Sequence, residues 1–288
     1  MPNKQVRLKQ VEGSEILYHY TKSNGVNGII HNNSFWATKS DFLNDPNEFN
    51  HIYNIITSIC DEVISNKNWK KMFLDDVLEE QAITSGGNKD YFVLSFSNRR
   101  DSITMWSEFG SRTGYNIGFK SKQIIERILE DNKIDYHGFV IYNSEEQKRI
   151  VKRILSSGLS EEMNMTFSEI LELGARDRND EVYKKACRKF QKMTAVYAMF
   201  FKNEAFREEQ EYRFVFKKQR DTEVLFREKD GFMIPYIKIQ LSKEPLPVKE
   251  IVVAPQNHID LAKKGMEYMM LQKGYEVEVS LSNIKLRY

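Results

Sequence analysis

Cysteine is scarce in this chain, and its two cysteines, Cys60 and Cys187, lie far apart without the short spacing of a metal site. Their scarcity excludes a disulfide framework and fits a reducing compartment, so we expect a cytoplasmic protein. Long hydrophobic runs are also missing, since a stretch such as Ala195–Phe201 is far too short to span a bilayer. The first ten residues, MPNKQVRLKQ, lack the apolar core of a signal peptide. We therefore expect no membrane association.

An excess of either charge is lacking as well. Across 288 residues, 43 Lys and Arg face 41 Asp and Glu, which leaves a net charge of +2. No global field therefore favours nucleic acid or an anionic membrane. The sequence signatures of Rossmann dinucleotide sites, P-loops, zinc proteases and serine hydrolases are missing too. These cofactor and hydrolase assignments therefore have no support in the sequence.

What the sequence does contain is an irregular alternation of strand and helix patterns, which favours an α+β fold over a doubly wound sheet. Short apolar and aromatic runs predict strands at Ile16–Thr21, Phe35–Thr38, Tyr91–Ser97, Gly114–Phe119, Phe139–Tyr142, Tyr212–Phe216, Phe232–Ile239, Glu250–Val253 and Glu276–Ser280. Helical spacing predicts helices that start at Ser23, a candidate cap, and that cover 49–63, 68–81, 104–109 and 259–273.

The composition changes between Ser144 and about Asn203, where Lys, Arg and Glu recur with helical spacing. We predict one α+β domain built from residues 1–143 and 204–288, with residues 144–203 as a helical insertion. Such an insertion offers a surface for a protein partner.

A histidine stands inside the first predicted strand, in the sequence LYHYT. Alternation places His19 and Thr21 on one face of the strand, and Tyr18 and Tyr20 on the other. Two interpretations are open for His19. It is either a half-buried residue bonded to a backbone carbonyl, or a hydrogen-bond donor to a ligand hydroxyl.

Charged residues lead into a late strand, in the sequence FREEQEYRF. Period two sends Glu209, Glu211 and Arg213 to one side of this strand. One interpretation is an exposed edge with a surface ion pair, which adds little stability. The other is a catalytic carboxylate, Glu211 or Glu209, that Arg213 keeps ionised.

Two hydroxyls, Ser95 and Ser97, share one face at the end of a strand, where such side chains commonly cap the following turn. Four aromatic residues are expected in the core, namely Trp36, Trp106, Tyr115 and Phe119. Trp106 follows a loop and is also a candidate to line a pocket.

Acidic residues follow the second predicted strand at Asp45 and Glu48. Helix capping explains an Asn or Asp at this point without a metal, because their side chains accept bonds from the first helical amides. Metal ligation is the alternative.

Several motifs occur along the chain in the order LYHYT, FWATKSDFLNDPNEF, LSFSNRRDSITMWSEFG, GYNIGF, FREEQEYRFVF and IVVAP. As a set they resemble a widespread bacterial domain family of unknown function. The likeness covers almost the whole chain outside the helical insertion, and it carries no assigned chemistry.

The chain is also distantly similar to ADP-ribosyltransferases, through a first-strand histidine and a Glu-x-Glu sequence that leads into a late strand. The resemblance implies that His19 holds a ribose hydroxyl of NAD, and that Glu211 binds the 2′-hydroxyl of the nicotinamide ribose. It further implies an aromatic residue that stacks on nicotinamide, for which Tyr115 and Trp106 are candidates. The Ser95-Phe96-Ser97 segment resembles the Ser-x-Ser strand of the arginine-first branch of these enzymes.

We therefore expect an α+β fold with an ADP-ribosyltransferase-like mixed sheet, and an enzyme that splits NAD, its substrate. Bond cleavage would pass through an oxocarbenium-like transition state, which a fixed carboxylate stabilises. ADP-ribose would go to a protein or nucleic-acid acceptor or to water, as in a bacterial toxin or phage-defence effector. The catalytic candidates are Glu211, Glu209 and His19. The NAD-binding candidates are His19, Tyr20, Thr21, Ser95, Ser97, Trp106, Tyr115 and Arg213.

Two alternatives remain. The first is a non-catalytic intracellular binding module, in which His19 and Glu211 only pin strands together. The second is a metal-dependent nucleic-acid-processing enzyme that uses Asp45 and Glu48.

Overall fold

A computed structural model describes residues 6–13, 15–43, 48–78, 91–110, 113–132, 134–159, 163–229, 231–255 and 259–285. It confirms the α+β class, because helices accompany a mixed sheet of ten strands. The chain divides into two compact units. The first comprises Met1–Arg7, Leu43–Asp90 and Val140–Ala205, and the second comprises Leu8–Phe42, Tyr91–Phe139 and Phe206–Tyr288.

The strands in chain order are β1 Ile16–Thr21, β2 Ser34–Lys39, β3 Tyr91–Ser97, β4 Tyr115–Lys120, β5 Tyr136–Phe139, β6 Glu211–Lys217, β7 Leu225–Lys229, β8 Phe232–Gln240, β9 Val248–Val253 and β10 Glu278–Leu281. The α-helices in chain order are α1 Ser23–Asn32, α2 Glu48–Val63, α3 Lys67–Val77, α4 Ile103–Glu108, α5 Ser121–Asp131, α6 Ser144–Arg153, α7 Phe167–Arg176, α8 Glu181–Ala198 and α9 Ile259–Gln272.

The first unit holds α2, α3, α6, α7 and α8, which pack on one another. Side-chain caps start four of these helices, α3 at Asn66, α6 at Asn143, α7 at Thr166 and α8 at Asp180. Asp180 accepts hydrogen bonds from two amides at the start of α8, and Thr166 and Glu169 form a capping box at α7. Within the described ranges, no helix has the length and apolar composition needed to cross a membrane.

The second unit holds the sheet, whose strands lie in the order β10-β9-β4-β1-β3-β2-β8-β7, with β6 between β3 and β5. β9 and β10 run parallel, and the other strand pairs are antiparallel. One face of the sheet forms the main core. Buried members of that core include Leu17, Phe35, Phe96, Phe119, Tyr212 and Phe214.

The sheet forks at β3, which pairs with β6 on one side along its whole length. On its other side, β3 pairs with β1 at Ser97 and with β2 at Phe92 and Val93. Residues 94–96 lie between these two contacts and pair with neither strand. We call this segment of β3, with the flanking β1 and β2, the fork. From it, β1 leads to the arm β4-β9-β10, and β2 leads to the arm β8-β7.

Several predicted elements have different bounds in the structure. The predicted strand Phe139–Tyr142 is wrong: β5 is Tyr136–Phe139, and Ile141 makes only an isolated bridge to Phe201. Ser23 is the first residue of α1 and not its cap, a position that Lys22 occupies without a side-chain bond. Strand β7 was missed, because its sequence LFREK is largely charged and shows little apolar alternation.

Gly114 is required by a close approach of the backbone. A Cβ atom at this position would lie 2.4 Å from the carbonyl oxygen of Thr21 and 2.6 Å from that of Gly110. We expect Gly114→Ala to lower the free energy of unfolding by about 2–3 kcal/mol, measured by urea denaturation, because backbone atoms must shift.

Gly28, in the middle of α1, is the matched control, since a Cβ atom there would meet nothing within 4 Å. Gly28→Ala is expected to raise the free energy of unfolding by about 0.5–1 kcal/mol, through a better helix propensity. Equal stability of Gly114→Ala and the wild type would contradict the close approach.

Candidate functional site

His19 lies at the fork. Its Nδ1 atom is 3.1 Å from the carbonyl oxygen of Ser95, one of the β3 residues that pair with neither β1 nor β2. The imidazole packs against two phenylalanines of the core, with ring centres 5.6 Å from Phe35 and 5.5 Å from Phe96. His19 is half-buried. The interpretation of a half-buried histidine bonded to a backbone carbonyl is therefore confirmed.

The protonation state of His19 follows from its surroundings. Burial lowers the pKa of His19 to about 4, and the positive charge of Arg227 lowers it further, whereas the bond to Ser95 opposes them. The imidazole is therefore neutral near pH 7. Because a carbonyl oxygen can only accept, Nδ1 carries the proton and Nε2 keeps a lone pair. A ligand hydroxyl would therefore donate its hydrogen bond to Nε2. The expectation from the sequence was the opposite direction, with His19 as the donor.

The lowered pKa of His19 predicts a pH-dependent stability. Between pH 6.5 and about 4, the unfolded chain binds a proton at His19 that the folded protein does not bind. The contribution of His19 to the free energy of unfolding is therefore fully present above pH 6.5. It falls as the pH drops toward 4, by up to about 3 kcal/mol.

Urea denaturation at pH 7.5 and at pH 5, on the wild type and on His19→Asn, measures this contribution. The wild type should lose more stability than the variant over this interval. Equal losses would show that His19 has an ordinary pKa.

Glu211 and Arg213 form a buried ion pair on β6. The Nη2 and Nε atoms of Arg213 lie 2.6 and 3.1 Å from the Oε2 atom of Glu211. Arg213 is fully buried, and only 5% of Glu211 is exposed. Since β6 lies between β3 and β5, the interpretation of an exposed edge with a surface ion pair is wrong. A buried pair of this kind needs its geometry to offset the cost of desolvation.

Glu209 lies outside the strand, at the end of a 3₁₀ turn that spans Glu204–Glu209. Gln210 follows with a positive φ of 41°, so the alternation of β6 does not extend back to Glu209. The Glu209 residue is nevertheless buried, and its carbonyl oxygen accepts a hydrogen bond of 2.6 Å from the Ser97 hydroxyl. The Ser97 hydroxyl also accepts from the amide of Arg99, as expected for a residue that caps a turn.

The cross-strand registers show which of these side chains share a face. Tyr18 pairs with Ser97, and Ser97 pairs with Glu211, so these three side chains point to one side of the sheet. His19 points to the other side, where its ring meets the core. Its side chain therefore leaves the backbone on the face opposite to that of Glu211.

The fork nevertheless links the two groups. Ser95, whose carbonyl oxygen binds His19, is the cross-strand partner of Arg213, which in turn binds Glu211. The structure thus brings Ser95, Ser97, Glu211 and Arg213 together on one face. His19 is connected to these four residues through its hydrogen bond to the main-chain carbonyl of Ser95.

The remaining candidates have structural contacts. The Tyr20 hydroxyl donates to the carbonyl of Arg99, and its ring packs 4.7 Å from that of Trp106. Trp106 is 1% exposed and donates to Asp101. Tyr115, 8% exposed, belongs to the main core. Neither Trp106 nor Tyr115 therefore offers an exposed ring for stacking.

Thr21 lies on the same face of β1 as His19, at the end of the strand. A Cβ atom at Gly25 of α1 would lie only 1.9 Å from the Thr21 hydroxyl oxygen. The side chain of Thr21 thus packs against the helix that follows.

Trp36 was expected in the core, and this expectation is wrong, because 46% of the residue is exposed. The neighbouring Phe35 and Ala37 are buried, as alternation on β2 requires. The alternation of side chains along the predicted strand would have identified Trp36 as a surface residue from the sequence. Arg227, whose charge acts on His19, was missed together with the rest of β7.

The metal alternative involves Asp45, which lies outside the described residues. Among the residues whose placement is given, no group of three or more His, Cys, Asp or Glu residues has the arrangement needed to hold a metal ion.

Residues 105–214 match the model of a family described as "Protein of unknown function (DUF2971)". The match confirms the expected resemblance to a family of unknown function but not its expected extent, because the matched range includes the predicted insertion, 144–203, and begins after His19. No curated protein and no solved structure matches the chain.

Proposed function

We propose that the protein binds NAD at the fork and cleaves its nicotinamide–ribose bond, transferring ADP-ribose to a macromolecule or to water. The observation that supports this best is the state of His19. Its imidazole is neutral, its Nδ1 proton is bound to the Ser95 carbonyl, and its Nε2 atom has no partner among the described residues. Such a fixed acceptor can orient a ribose hydroxyl, and orientation lowers the barrier of a reaction.

Glu211 supplies the negative charge in this proposal. When the bond breaks, its electron pair goes to the nicotinamide nitrogen, and positive charge develops on the ribose ring. A carboxylate that is shielded from water and held in place stabilises that charge. Arg213 holds Glu211 in one orientation through two hydrogen bonds. The acceptor oxygen then forms a bond to the ribose carbon and releases its proton to water.

His19 and Glu211 can contact one NAD molecule only across the edge of β3, because their side chains leave the sheet on opposite faces. In this proposal the ligand reaches both groups at segment 94–96, which pairs with neither β1 nor β2. An enzyme with this chemistry would consume NAD or modify macromolecules, as a toxin or phage-defence effector does.

Incubation of the wild-type protein with NAD, with nicotinamide measured by chromatography, tests the proposal. Release of nicotinamide in amounts that exceed the protein concentration supports it. Intact NAD after long incubation, both with and without added protein or RNA acceptors, would contradict it. Loss of the RNA itself only when Mg²⁺ is present would favour the metal-dependent alternative.

A further inference from the structure

Arg227 on β7 carries a charge that no described carboxylate balances. Its Nη2 atom donates a hydrogen bond of 2.8 Å to the hydroxyl of Thr38. Its Nε atom is buried and has no hydrogen-bond partner. No ion pair joins Arg227 to an acidic side chain in the described part of the chain.

The Nε atom of Arg227 is buried, and this burial lowers the pKa of the guanidinium group because it disfavours the charged form. A buried donor without a partner costs free energy, and a poorly solvated charge without a counter-ion costs more. A bound anion would remove both costs. The planar guanidinium group presents several donors in a geometry that matches the oxygens of a phosphate.

Aromatic rings flank the same guanidinium group. Its central carbon lies 5.7 Å from the ring centre of Trp36 and 5.9 Å from that of Tyr236. The two rings are 4.6 Å apart, and Tyr236 is buried whereas Trp36 is 46% exposed. An exposed indole ring beside a cation is a platform on which a base can stack.

The cross-strand registers place these groups on one face. Thr38 and Tyr236 pair directly, and Trp36 pairs with the exposed Lys238, which adds a second cation. Arg227 lies two positions from Leu225, the partner of Tyr236, and therefore points to the same side. We call these residues, Trp36, Thr38, Arg227, Tyr236 and Lys238, the Trp36 face.

The Trp36 face adjoins the fork. Thr38, which accepts the hydrogen bond from Arg227, is the partner of Val93, which directly precedes segment 94–96 of β3. The positive charge of Arg227 also lowers the pKa of His19, so the two side chains are close enough to interact electrostatically.

We propose that the Trp36 face binds a nucleoside diphosphate, with a phosphate group on Arg227 and the base stacked on Trp36. This inference rests on the proposed function in one respect, namely that the nucleotide is the ADP-ribose part of NAD. Because Thr38 pairs with Val93, which lies on the same face of β3 as Ser95 and Ser97, a ligand placed in this way would direct its remaining ribose toward the face of Glu211.

Isothermal titration calorimetry with ADP, ADP-ribose and adenosine tests the inference on the full chain. We expect the wild type to bind ADP and ADP-ribose, and to bind adenosine much more weakly. Arg227→Met should weaken ADP binding by about 10-fold or more, because a charge-assisted contact is lost, and Arg227→Lys should lose less.

Trp36→Leu, which alters an exposed side chain, should weaken ADP and ADP-ribose binding by a similar factor. This variant decides the question if Arg227→Met does not fold. Arg188→Met is the matched control, because Arg188 is an exposed arginine of the first unit, and it should bind ADP as the wild type does.

The outcomes separate this inference from the proposed function. Absence of ADP binding by the wild type, or equal affinity in the wild type, Arg227→Met and Trp36→Leu, would overturn the inference even if nicotinamide is released from NAD. Weakened binding in these two variants, together with intact NAD after incubation with the wild type, would uphold the nucleotide site and reject NAD cleavage.

Discussion

Arg213→Met is expected to lower the free energy of unfolding by about 3–5 kcal/mol, the loss typical when one partner of a buried ion pair is removed. Arg213 is fully buried, and both of its described hydrogen bonds to Glu211 would disappear. The buried carboxylate of Glu211 would then lose the contribution of Arg213 to its stabilisation. Urea denaturation at pH 7.5 measures this loss.

Two comparisons control for the change of charge. Arg176→Met removes an exposed arginine from an ion pair with Glu172 and should change stability by no more than about 0.5 kcal/mol. The double variant Glu211→Gln with Arg213→Met should be less destabilised than the sum of its single variants, because the two residues interact directly. A loss in Arg213→Met as small as that in Arg176→Met would contradict a buried pair.

Glu211→Gln is expected to lower the rate of nicotinamide release from NAD by about 10²–10³-fold, the usual cost of losing one preorganised electrostatic contact to a transition state. Glutamine keeps the size of the side chain and removes its charge, so the loss should fall on kcat more than on KM. The rate of release at saturating NAD measures it.

Glu208→Gln is the matched control, since Glu208 lies three positions away and forms an exposed ion pair with Arg99. It should release nicotinamide at the wild-type rate. A Glu211→Gln protein that is folded and retains that rate would remove Glu211 from the mechanism. His19 and the nucleotide site would then have to be reconsidered as parts of a binding module.

Local patterns predicted much of the second unit. The strands Ile16–Thr21 and Tyr91–Ser97 have the predicted bounds, because aromatic and apolar residues are dense in both and turns follow them. The two-residue alternation of a strand also predicted correctly which side chains of β1 and β6 share a face. Tyr18 and Tyr20 pack together in one cluster, whereas Tyr212 and Phe214 point away from Glu211 into the core.

The geometry of the fork could not be read from the sequence. It depends on pairings between strands far apart in the chain, of β3 with β1, β2 and β6, and no local period encodes which strands meet. The relation between His19 and Glu211 is a consequence of those pairings. Each side chain was placed correctly on its own strand, but their opposite faces required the registers.

The nucleotide site was missed for a different reason. Arg227 belongs to an edge strand with a charged sequence, where exposure permits polar residues on both faces and removes the apolar alternation. Trp36 was expected in the core together with three other aromatic residues, although its buried neighbours Phe35 and Ala37 leave it on the outer face.

The tautomer of His19 decides most directly whether the fork holds a ribose. ¹⁵N NMR of the imidazole, recorded with and without NAD, reports which nitrogen carries the proton and whether the other acquires a donor. We predict a proton on Nδ1 from pH 5.5 to 8, and a shift of the Nε2 signal when NAD is added. A proton on Nε2, or an Nε2 signal that saturating NAD leaves unchanged, would contradict ribose binding at His19.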